Sequence, residues 1–252
     1  MPLAEELIGS FLRQTHTLAQ LQHPHILRLR DAGVENFFPF VVMEYVSHVT
    51  LQQPISRGTP QSFTDILFHL KSIAEALQYA HNRHVLHKNI RPRNILLSRN
   101  NDVLLSNFTI DAVTQSKQQP DFLTAEEVTE SLGYMAPEQI EGKAVPASDQ
   151  YALAVIIYQW LCGVLPFRGS YSEIVNSHLH VQPPSLCQRV PAVSRAVEEV
   201  VFTALAKDPN KRFPDVLMFI EALHQAQQQG DRKGSPLPYY GQQSALTDGA
   251  PA

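Results

Sequence analysis

Apolar residues recur at helical spacing in "AEELIGSFLRQTHTLAQLQHP". Leu7, Phe11, Leu18 and Leu21 share one face and Pro24 follows, which predicts a helix over residues 4–22. Two β-rich runs come next, "ILRLRDAG" (26–33) and "FFPFVVMEYV" (37–46), with a turn expected at Gly33–Asn36. A second amphipathic helix is expected over 63–82. Its stripe is Phe63, Ile66, Leu67, Leu70, Ile73, Leu77 and Ala80. "NILLS" and "DVLLS" flank Arg99–Asn101 as a short hairpin. Residues 107–137 show little periodicity and many Thr, Ser and Gln, so a long loop is expected there.

The remaining chain predicts helices near 148–163, 171–178, 191–206 and 213–229, with Pro191 opening the third and Lys207-Asp208-Pro209 closing it. From Gln228 the composition turns to Gly, Pro, Ser and Gln, which predicts a disordered tail. "SPLPYY" within it reads as linker, with a proline-rich ligand as the alternative. No internal repeat is visible.

Composition narrows the class. The chain has 252 residues, 44% hydrophobic and 17% charged, enough to bury a core and too apolar for disorder. Net charge is −4, so no basic excess points to nucleic acid or an anionic membrane. Two cysteines, Cys162 and Cys187, suggest no disulfide framework, and a cytoplasmic, reducing location is the expectation. The N-terminus carries Glu5 and Glu6 and lacks a signal-peptide pattern. "YALAVIIYQWLCGVLPF" (151–167) has no formal charge, but it is shorter than the roughly 20 residues a membrane span needs. It reads as a buried core helix.

The order of these elements, with "LQHPHILRL" (21–29), "VVMEYV" (41–46), "HKNIRPRN" (87–94), "SLGYMAPEQ" (131–139), "SDQYALAVIIYQWLCGVLPF" (148–167) and "KDPNKRF" (207–213), resembles the eukaryotic-type protein kinase domain, in particular its bacterial serine/threonine branch. The resemblance covers about residues 4–225. It implies an α+β fold with a nearly complete helical C-lobe (47–227) and a partial N-lobe (1–46) of one helix and two strands, before the tail at 228–252. No G-x-G-x-x-G loop and no V-A-I-K-type lysine precede residue 14, so the family's first three strands are expected to be missing.

The resemblance also assigns roles. Asp149 would anchor the catalytic-loop backbone, and Glu138 would pair with Arg212. Leu18, Leu29, His87 and Phe108 would form the stacked hydrophobic spine. Leu96 would lie under the adenine, with Met43 as gatekeeper and Glu44 in the hinge. The family's HRD is here His87-Lys88-Asn89, its DFG is Asn107-Phe108-Thr109, and its helix glutamate aligns with Gln14. Three acids are thus replaced by amides of nearly matched shape. A neutral amide is no general base near pH 7, and it brings no charge to magnesium. Arg91 stands at the catalytic-loop lysine, and Asn94 keeps the second metal position.

The resemblance therefore implies a kinase-like domain without turnover, acting through a protein partner. ATP and Mg enter by resemblance only. The rivals are an active kinase with a misassigned start and a nucleotide-independent binding module. A zinc site from His81, His84 and His87 is weighed and set aside, because no nearby Cys completes it.

Overall fold

The computed structural model describes residues 4–52, 63–98, 102–116 and 125–232. Helix α1 (Glu5–Ala19) buries Phe11 and Thr15 and leads into strands β1 (Leu29–Glu35) and β2 (Phe38–Met43). These pair antiparallel, with Glu35 opposite Phe38. The turn is therefore Asn36–Phe37, with φ of 49° and 66°, the positive values of a two-residue hairpin turn. That corrects the expected turn at Gly33–Asn36. Gly33 lies inside β1, where a Cβ would stand 2.6 Å from the Phe40 ring, so the glycine serves a close approach.

A second sheet has the order β3 (His48–Thr50), β4 (Ile95–Ser98), β5 (Val103–Leu105), all antiparallel. The β4–β5 hairpin was expected, although its turn at 99–101 lies outside the described residues. β3 was not foreseen. Its three residues are too few for a period-2 pattern to stand out. Leu27 donates to Leu105 O and Leu105 donates to His25 O, which ties the chain between α1 and β1 to this sheet.

Helix α2 (Phe63–His81) buries Ile66, Leu70, Ile73, Leu77 and Ala80, the stripe read from periodicity. The segment expected as a long loop contains α3 (Asp111–Ser116) and α4 (Ala125–Leu132). The loop expectation is corrected over those residues, and 117–124 lie outside the description. α3 is held from outside: Ala112 packs on Phe11 in a small cluster with Leu7, Ile8, Val34, Ile110 and Val113. A six-residue helix is marginal alone, so tertiary contacts decide it.

Helices α5 (Pro137–Ile140), α6 (Pro146–Cys162), α7 (Tyr171–His180), α8 (Leu186–Arg189), α9 (Arg195–Ala204) and α10 (Val216–Arg232) complete the molecule. α6 is buried from Ser148 to Tyr158, as suits a central helix surrounded by others. No described helix is long and apolar enough to cross a membrane. α10 runs to Arg232, past the Gln228 at which the tail was expected to begin, and residues 233–252, including "SPLPYY", lie outside the description.

Pro191 does not open α9. Ser194 does, its Oγ accepting from Val197 N at 3.3 Å, because a side-chain oxygen satisfies an N–H that proline cannot. Ser194→Ala is expected to cost about 1 kcal/mol in urea unfolding, since α9 buries Val197, Val201 and Ala204 behind that cap.

Candidate functional site

Loop 87–94 is held from below by the first turn of α6. Asp149 is buried, and its Oδ2 accepts from His87 N at 2.9 Å and its Oδ1 from Lys88 N at 2.8 Å. His81 Nε2 lies 2.8 Å from Oδ2. Burial alone would raise the Asp149 carboxyl, but the hydrogen bond and charge of His81, with the His87 contacts, hold it below its ordinary value. Gln139 donates to Lys88 O at 2.7 Å, so the same short backbone is fixed from a second side. Lys88 takes φ 60° and Asn107 takes φ 60°, left-handed values that L-residues adopt where surroundings over-determine them. His81 is thus turned inward, while His84, with φ 59°, is exposed in the turn after α2. The two do not face one ligand.

His87 is fully buried and stacks on Phe108, ring centroids 4.2 Å apart. Burial lowers its imidazole to about 4, so the ring is neutral at pH 7. Its Nδ1 accepts from Asn89 N at 3.3 Å, which leaves the ring proton on Nε2. Leu18 is partly buried and Leu29 buried, and Thr109 N donates to His87 O at 3.1 Å.

Asn89, Asn94 and Asn107 meet as a ring of amides. Asn94 Nδ2 donates to Asn89 O at 2.7 Å, Asn107 Nδ2 donates to Asn94 Oδ1 at 3.0 Å, and Asn89 Nδ2 donates to Asn107 O at 3.3 Å. The orientation of these side chains follows from the network. A backbone carbonyl only accepts, so Asn94 must present its nitrogen to Asn89 O and its oxygen to Asn107. Asn107 must then present nitrogen. Asn94 is 2% exposed, and its backbone carbonyl also accepts from Ser106 N and Oγ.

The other expected positions are dispersed around this ring. Gln14 Oε1 accepts from Ala112 N at 3.4 Å and its Nε2 donates to Ser10 at 3.3 Å, so it is engaged with α3. Leu96 is buried in the middle of β4, opposite Thr50 and Leu104. Met43 ends β2 half-buried opposite Leu29. Glu44 N donates to Arg28 O, and its carboxylate meets Arg30 at 3.2 Å beside a cavity of about 380 Å³. Glu138 and Arg212 make a two-pronged pair, Nη1–Oε1 at 2.7 Å and Nη2–Oε2 at 2.8 Å.

Contacts absent from the sequence reading concern the basic side chains of the loop. Lys88 Nζ reaches both oxygens of Asp111, at 2.9 and 2.8 Å. Arg91 and Arg93 face Glu130 of α4, at 3.9 and 3.2 Å. The signal available was the charge itself: three bases at 88, 91 and 93, with acids downstream at 111 and 130. Spacing of that length does not tell which acid meets which base.

A helix and two strands ahead of a helical body, with a loop 87–94 pinned by a buried aspartate, define the class. Residues 4–226 match the protein kinase domain, and the chain belongs to that family. It is 32% identical over 210 residues to the serine/threonine-protein kinase PrkC of Bacillus subtilis, covering 82% of this chain and 32% of PrkC. To the serine/threonine-protein kinase PknJ of Mycobacterium tuberculosis it is 31% identical over 248 residues, 94% of this chain and 41% of PknJ. The chain thus spans about a third to two fifths of the length of these relatives. The crystal structure of the M. tuberculosis PknI kinase domain, solved as a point mutant, superposes with a TM-score of 0.68 at 29% identity, covering 88% of this chain and 79% of that one.

Proposed function

We propose that this chain is a kinase-fold module that does not transfer phosphate and acts by binding a protein partner. One observation carries the reading: Asn107 directs an N–H at the Asn94 oxygen, with 3.0 Å between nitrogen and oxygen. In the family both positions supply oxygens to magnesium. With an acid at 107, two oxygens would face each other across that gap, and a cation would be needed between them. Here an amide hydrogen takes the cation's place, so these residues do not fit the metal. Asn89 adds a second loss, because its neutral side chain accepts no proton at pH 7. Removing one transition-state electrostatic partner typically costs about 3–4 kcal/mol of barrier, and these losses fall on one step.

A binding role is supported by the outer strand of the small sheet. On and beside β2, Phe37, Phe38, Phe40, Val41 and Val42 are each 37–53% exposed, an apolar edge of the kind that other chains cover.

The test is twofold. Purified protein with radioactive ATP and Mg²⁺ should label neither itself nor a general protein substrate, and ATP–Mg²⁺ should leave its melting temperature unchanged. In the variant Asn107→Asp oxygen faces oxygen, and Mg²⁺ alone should then raise the melting temperature of the variant only. Wild-type labelling that Asn107→Ala abolishes would overturn the proposal.

A further inference from the structure

Helices α2 and α10 lie side by side and run antiparallel. Gln78 and His81, late in α2, share a cavity with Asp215 and Val216 at the start of α10. Leu67 and Phe68, early in α2, line a groove of about 760 Å³ that reaches Gln225, well along α10. Phe213, Leu217 and Met218 form much of its other wall. Three of these side chains stand in solvent: Phe68 is 62%, Met218 52% and Leu217 39% exposed. Phe68 lies off the stripe that buries Ile66, Leu70 and Ile73, so the core does not account for it. A single exposed apolar side chain needs no explanation, but three along one groove make a patch that another segment covers.

The chain supplies a segment that matches it in reach and chemistry. α10 ends at Arg232, beyond the Leu67–Phe68 end of the groove, and residues 233–252 continue from there. Their densest apolar run is Pro236-Leu237-Pro238-Tyr239-Tyr240, which carries no charge. From Arg232 back to Gln225 and to Met218 is about 10 and 21 Å along the helix axis. Leu237 and Tyr240 stand five and eight residues past Arg232, a reach of about 16 and 26 Å in an extended or polyproline II chain. The surplus of about 5 Å in each case leaves length for a reversal, and Gly234 is the residue type that turns most readily. Pro236 and Pro238 have no N–H to strand against an apolar wall, and they favour the polyproline II form that docks into aromatic-lined grooves. Phe68 and Phe213 supply the aromatic surface. Tyr239 and Tyr240 each bring an apolar ring whose hydroxyl can stay wet at the rim. Tethering by a short linker gives an effective concentration of about millimolar, so even modest contacts fill the groove.

We propose that residues 236–240 fold back and dock in the groove between α2 and α10, covering Phe68, Leu217 and Met218. The inference is independent of the reading of the amide ring, since no residue of loop 87–94 takes part.

The experiment is hydrogen exchange of the full chain, read by mass spectrometry. In wild type the fragment carrying the amides of Leu237, Tyr239 and Tyr240 should exchange at least about tenfold more slowly than a free peptide of residues 234–245. Phe68→Gln combined with Met218→Gln changes two exposed side chains, so the fold should persist while those amides return to the free-peptide rate. Added in trans with a fluorescent label, the 234–245 peptide should bind the full-chain variant Leu237→Ser/Tyr239→Ser/Tyr240→Ser at least about tenfold more tightly than wild type, whose groove is filled from within. Free-peptide exchange of these amides in wild type overturns the docking. Protection that survives Phe68→Gln/Met218→Gln overturns the groove as its place. Protection lost on about tenfold dilution gives the groove to a second copy. Equal peptide affinity of wild type and the triple variant gives it to some other occupant. Either result overturns docking within one chain.

Discussion

Replacing Glu138 with alanine is expected to remove about 3–5 kcal/mol of stability, more than any other single change considered for this chain. The Arg212 side chain has no exposed surface, and Glu138 retains 10%. The carboxylate takes both guanidinium nitrogens at 2.7 and 2.8 Å and also accepts from Ser148 Oγ at 2.7 Å. Burial alone would raise the Glu138 carboxyl, yet the bonds from Arg212 and Ser148 hold it below its ordinary value, so the pair is ionised at neutral pH. Alanine would leave Arg212 charged, buried and facing dipoles: the carbonyls of Ala206, Ala147 and Lys207 and the face of Tyr151, 4.9 Å away. Those dipoles do not replace a counter-charge in a water-free interior. A domain of this size has about 5–15 kcal/mol in total, so the variant should sit near the edge of folding at 37 °C. Arg212→Lys should also lose stability, because a point charge cannot make the two-pronged contact. Urea unfolding reads both, and a midpoint for Glu138→Ala within error of wild type would refute the argument. The pair's large removal cost does not make it a net stabiliser over an apolar pair of the same volume; its structural value lies in fixing α5 against the start of α6, where Asp149 holds the loop.

What could be read from the chain without coordinates follows the range of the forces involved. α2 and α6 were legible because their burial repeats every turn within one segment. α3 was not, since its reasons are remote: Lys88 grips Asp111, and Ala112 packs on Phe11 about a hundred positions earlier. α4 was obscured by a Thr- and Glu-rich stretch of ordinary helix propensity whose contacts, Glu130 with Arg91 and Arg93, are also distant. The hairpin turn was misplaced by two residues, because Gly33 looks like turn chemistry whereas Phe37, a bulky side chain at positive φ, does not. At the candidate site the amide-for-acid changes at Asn89 and Asn107 were plain from resemblance. Their mutual hydrogen bonds with Asn94 were not, since side-chain direction at three points of two loops has no local code.

One consequence joins the scaffold to the site. The groups that fix the backbone of loop 87–94 are charged or hydrogen-bonded side chains of the helical body: Asp149, Gln139 and, one step further, Glu138 with Arg212. The groups at the positions that the resemblance assigns to a metal, Asn94 and Asn107, are neutral amides bonded to each other. Rigidity and chemistry are thus separable here. A rigid loop of this kind is compatible with the proposed binding role, which requires pre-organised groups but no turnover.

Acidification from pH 7 to pH 5 is expected to destabilise the domain by about 4 kcal/mol, through two buried histidines. His87, against Asp149, His81 and Phe108, is lowered from 6.5 to about 4, chiefly by burial. His178 is lowered from 6.5 to about 4, by burial first and then by the charge of Lys207; its Nδ1 lies 2.9 Å from the Tyr151 hydroxyl. The folded values lie below the unfolded one, so the unfolded chain takes up the protons first. This contribution is therefore complete above about pH 6.5 and is lost as pH falls towards 4, at about 2 kcal/mol per ring by pH 5. Asp149 and Glu138 are both held below their ordinary values of 3.8 and 4.5, so their losses set in mainly below pH 5. Lys207, lowered from 10.5 to about 8 by burial first and then by Arg212, acts above the window. Thermal melts should fall by roughly 8–16 °C between pH 7 and pH 5. His178→Phe separates the two rings. It deprives the Tyr151 hydroxyl of its partner and should melt lower at pH 7, but its further drop to pH 5 should be about half that of wild type. A wild-type melting temperature that holds steady down to pH 5 would mean that both rings reach water, and would remove the case for a buried neutral His87.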